Sequence, residues 1–73
     1  MSNDQARTAF VRLLLERVRA DRYPSATHMA MLEAVLPPEA VPAYVEVLLE
    51  KVADDAHPSI SMLHRISGLV KQG

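Results

Sequence analysis

The sequence predicts an all-α fold: a four-helix bundle built from two tandem 34-residue helical hairpins within one small domain, residues 1–73. Three observations lead there. The segment Ala9 to Leu36 lies without a gap over Ala43 to Val70, and nine of its 28 positions are identical: Ala9/Ala43, Val11/Val45, Leu14/Leu48, Leu15/Leu49, Glu16/Glu50, Val18/Val52, Asp21/Asp55, Pro24/Pro58 and Ser25/Ser59. A fixed period of this kind marks a duplicated supersecondary unit. Within each copy the apolar residues recur at helical spacing. Between them, Asp-x-x-Pro-Ser occurs once per copy, at Asp21–Ser25 and Asp55–Ser59, and supplies the chemistry of a turn followed by a helix cap.

The first helix is expected over roughly Asp4 to Ala20, with Ser2 or Asn3 as its cap and Phe10, Val11, Leu14, Leu15 and Val18 as its apolar seam. Pro24 disfavours helix at Tyr23, and Ser25 caps the second helix by accepting from the backbone N–H of Thr27 or His28. The second helix runs to about Leu36, where Pro37 and Pro38 end it. The third repeats the first seam with Tyr44, Val45, Leu48, Leu49 and Val52. Because Pro42 lacks a donor, its regular turns are expected to start near Val41, after a looser turn. Asp54 to Pro58 forms the second turn, Ser59 caps, and the fourth helix ends near Lys71.

Composition narrows the function classes. The hydrophobic fraction of 49% is ample for a core. A net charge of −1 argues against a partner held mainly by charge, whether nucleic acid or anionic membrane. With no cysteine, thiol catalysis, thiolate metal sites and disulfides are excluded. The opening MSNDQAR has no apolar run, so no secretory signal is expected there, and a cytoplasmic setting is the default. Six arginines against two lysines, with abundant alanine, fit a GC-rich bacterial source.

The period equals that of tetratricopeptide repeats, but the residues do not follow them. Their small and aromatic positions are absent, and the proline falls inside the hairpin rather than between hairpins.

No constellation of catalytic groups emerges. Asp21, Ser25 and His28 share one turn, yet Ser25 is committed to capping and its counterpart Ser59 is followed by Met62 in place of histidine. His28, His57 and His64 lie on different elements and form no i, i+4 pair, so no metal or cofactor is expected. His28 falls beside Met29, Leu32 and Leu36 and reads as a partly buried neutral side chain. Glu16 and Glu50 project away from the seams toward solvent, whereas Arg17 and Lys51 fall within the apolar arcs.

The second helix is the candidate functional element. Its core face is Met29, Leu32, Val35 and Leu36. The opposite side should be polar, as expected of the fourth helix with Ser61, His64, Arg65 and Ser67. It carries Ala26, Ala30, Met31 and Ala34 instead, with only Thr27 and Glu33 as polar relief, and Ala26, Thr27, Ala30, Met31 and Ala34 form the candidate interface. A helix apolar most of the way round is usually covered by something, and small residues admit a close neighbour. The expectation is therefore a non-enzymatic protein–protein interaction or assembly module, acting on another protein or on itself. A helix-turn-helix DNA-binding regulator is the alternative, weakened because Ser25 to Leu36 contains no Arg or Lys. A small-ligand-binding bundle is the second alternative, without a glycine-rich loop or acid–base pair behind it. The halves also differ in charge. Residues 1–36 carry five basic and four acidic side chains, and residues 37–73 carry three and five, a difference that head-to-tail self-association would use.

Overall fold

The computed structural model describes residues 1–71. All four expected helices are present: α1 (Asn3–Ala20), α2 (Ala26–Val35), α3 (Val41–Asp54) and α4 (Ile60–Lys71). No strand occurs among the described residues. The chain divides into two compact units at the proline pair, Met1–Pro37 and Pro38–Gly73. In the first unit α1 packs on α2, and in the second α3 packs on α4.

Local chemistry sets the start of each helix. Ser2 caps α1: its Oγ accepts from the Gln5 backbone N–H at 3.1 Å, and Gln5 Oε1 accepts from the Ser2 N–H at 2.8 Å. This capping box satisfies two donors that a helix start leaves without intrahelical partners. Ser25 Oγ accepts from the His28 N–H at 3.0 Å and starts α2. Ser59 Oγ does the same for the Met62 N–H at 3.0 Å and starts α4. Ahead of it, Asp55 Oδ1 accepts from the His57 N–H at 3.0 Å, the turn-closing bond expected of that aspartate. The looser turn before α3 is a single 3-10 turn, Pro38–Ala40. Pro42 lies within the first two positions of α3, where its missing donor costs no intrahelical bond.

In the first unit the core consists of Val11, Leu14 and Val18 from α1 with Met29 and Leu32 from α2. In the second it consists of Tyr44, Val45, Val47 and Leu48 from α3 with Ile66 and Leu69 from α4. Two expected seam residues depart from this. Phe10 and Leu49 are both exposed, although each lies at helical spacing from buried neighbours. Of the two basic residues placed within the apolar arcs, Lys51 is partly buried and Arg17 is exposed.

Candidate functional site

The five residues singled out on α2 share one side of that helix, and all five are exposed. At about 100° per residue, Ala26, Ala30, Ala34, Thr27 and Met31 sweep a continuous arc of about 140°. The buried residues Met29 and Leu32 lie on the other side, with His28 and Val35 partly buried beside them. Glu33, also partly buried, borders the alanine end of the arc. Met31 offers the largest apolar side chain of the face and is 40% exposed. Ser25 terminates the face at one end, and Leu36, with extended backbone, at the other.

The face has little chemistry beyond contact. Thr27 is its polar member. Three of the others are alanines, whose methyl groups bring a neighbouring backbone close without side-chain ordering costs. Neither end of α2 is electrostatically compensated, since no acid lies in its first turn and no base in its last.

His28 sits at the edge of this face. Its backbone N–H is used by the Ser25 cap, and its Nδ1 is buried without a hydrogen-bond partner. The Ser25 hydroxyl is therefore a helix cap, and the imidazole is not held against it at Nδ1. His57 and His64 are exposed on other elements. Among the described residues no three His, Cys, Asp or Glu side chains come together as a metal-binding group. In the first turn, the exposed Tyr23 ring lies 5.6 Å from the Arg22 guanidinium carbon, a surface cation–π pair.

The second unit carries a surface that periodicity did not reveal. An open apolar groove of about 350 Å³ runs between α3 and α4, lined by Val41, Pro42, Val45, Leu49, Leu69 and Val70, with Glu46 as the charged residue of its wall. The side of α4 expected to be polar is mixed. Ser61 and His64 are exposed as anticipated, Arg65 and Ser67 are partly buried, and Ile60, Leu63 and Val70 are exposed. Exposure of this kind has no signal in a single sequence, because an apolar residue at helical spacing looks the same whether or not a neighbour covers it.

No helix among the described residues is long and apolar enough to cross a membrane. Comparison with protein-family models, with curated proteins and with solved structures gave no match to this chain.

Proposed function

We propose that this protein is a non-enzymatic interaction module of the cytoplasm, made of two copies of one 34-residue helical hairpin. It binds another protein, or a second copy of itself, through Ala26, Thr27, Ala30, Met31 and Ala34 of α2. The observation that carries this reading is the exposure of all five residues on one arc of a ten-residue helix. A helix without a polar outer face is ordinarily covered.

The test is substitution at the centre of the arc. Ala30→Arg introduces a long charged side chain where only a methyl group stands, without touching the core. Tagged wild-type and Ala30→Arg protein are compared for co-purifying protein and for solution mass by light scattering. Loss of a bound protein in Ala30→Arg alone is the expected result, and loss of self-association would seat a second copy of the chain on the same face. If every complex the wild type forms is retained by Ala30→Arg, the α2 face is not the binding surface. A mobility shift with DNA at low salt would instead favour a nucleic-acid role.

A further inference from the structure

At an offset of 34 residues the two hairpins leave opposite flanks of the same helical unit open. Leu14 and Leu48 occupy the same position and are both buried. The residues just before and just after that position are turned about 100° to either side of it. On the earlier side, Phe10 and Leu13 are 41% and 63% exposed, while their counterparts Tyr44 and Val47 are 0% and 2% exposed. On the later side the order reverses. Leu15 is partly buried and its counterpart Leu49 is 50% exposed; on the second helix of each hairpin Met29 is buried and its counterpart Leu63 is 45% exposed. Val70 follows the same rule, exposed where its counterpart Leu36 is partly buried.

The chain thus presents one open flank of each kind. The counterpart of each open flank is buried in the other hairpin. The charges beside them differ. Between Phe10 and Leu13 on this projection stands the exposed Arg17, with the exposed Arg7 about 60° from Phe10 and Glu16 about 60° from Leu13. About 60° from Leu49 stands the exposed Glu46, which also forms part of the groove wall, with Glu50 about 100° away. Like flanks brought together would oppose like charges, and unlike flanks oppose opposite ones.

We propose that the open flank of the second hairpin, Leu49, Leu63 and Val70 beside Glu46, docks on the open flank of the first hairpin of a second copy, Phe10 and Leu13 beside Arg7 and Arg17. This contact is head-to-tail. Each copy added leaves one flank of each kind free, so the assembly grows rather than stopping at a twofold dimer. It uses the 34-residue register proposed above and is independent of the α2 face.

Light scattering of the full chain over a concentration series up to roughly 1 mM, a range that reaches weak contacts, tests this directly. The mass should rise steadily above the 8.1 kDa of one chain. Leu13→Lys and Leu49→Lys each spoil one flank at an exposed position, and each alone should remain at one chain, with helicity by circular dichroism unchanged. Mixed in equal amounts they retain one intact pair of flanks, and should form a complex of two chains that grows no further. Arg17→Glu and Glu46→Arg give a second pair that leaves the apolar residues in place. Each should weaken assembly, and mixing should restore it. Ala30→Arg should assemble like the wild type. A wild type that stays at one chain throughout overturns the proposal. So does assembly that survives Leu13→Lys and Leu49→Lys, or one that mixing fails to restore. Loss of assembly in Ala30→Arg would assign the contact to α2 instead.

Discussion

The first and second hairpins agree in their serine caps and differ in their flanks. Ser25 and Ser59 cap their helices through bonds to the third residue on, both at 3.0 Å. Leu14 and Leu48 are buried alike, as are Leu32 and Ile66. Away from that seam the pairs separate. Phe10 is open where Tyr44 is buried, and Met29 is buried where Leu63 is open. The difference shows which properties belong to a 34-residue segment and which to its surroundings. Capping is completed within about five residues, so the two serines cap alike, while the helices before them end differently, the Asp21 N–H donating to Arg17 O and the Asp55 N–H to Val52 O. Burial of a flank needs a neighbour, and identical or similar letters do not supply one.

Matched substitutions break this comparison most sharply. Tyr44→Ala empties a fully buried site and should cost about 3–5 kcal/mol, a large share of the stability of a small domain. Phe10→Ala, at the same place in the first hairpin, should cost only about 1 kcal/mol, since much of its ring already faces water. Urea unfolding of the two variants decides between them, and equal losses would mean that the flanks do not differ in solution.

The capping serines sharpen the other side of the comparison. Ser25→Ala and Ser59→Ala should each cost about 1 kcal/mol, because each removes the acceptor for one backbone donor. Thermal midpoints that fall together would support equivalent turns, whereas a loss confined to one variant would show that the second turn is held by something other than its cap.

His28 gives a shift of the opposite sign. Met62 is its counterpart in α4, and an unpartnered buried ring nitrogen costs about 1–3 kcal/mol. His28→Met should therefore raise the unfolding free energy read from urea curves by about 1 kcal/mol, after allowing for imperfect packing of the new side chain. A drop in the midpoint would mean that the imidazole has a role in solution that outweighs its missing partner. Smallest of all, Glu16→Gln and Glu50→Gln should each lie within about 0.5 kcal/mol of wild type, as both are exposed. A larger loss from either, read from the same urea curves, would expose an ionic contact peculiar to one hairpin.

Much of the fold was legible because it is written in local chemistry. The proline-serine turns, the late start of α3 and the end of α2 all follow from what proline lacks and what serine accepts. The α2 face was legible for the same reason, since Ala26, Ala30 and Ala34 recur at a spacing that fixes their side whatever surrounds the helix. Leu49 reads as a seam residue because it is apolar, in register and identical to Leu15, and those three properties carry no information about cover. Ile60, Leu63 and Val70 were hidden in the same way. The groove between α3 and α4 also depends on how two helices separated in sequence splay apart, which no single segment encodes.

The shortness of α2 bears on motion. Ten residues fall below the roughly 12–15 needed for a helix to hold its shape alone, and α2 lacks compensating charges at both ends. By contrast α1 has 18 residues, a reciprocal cap and arginines in its last turn. Amide hydrogens of α2 should consequently exchange with solvent sooner than those of α1, through local opening that leaves the rest of its hairpin intact. The candidate interface helix is then also more readily unwound than α1, and a partner seated on it would slow that exchange before altering any other part of the chain.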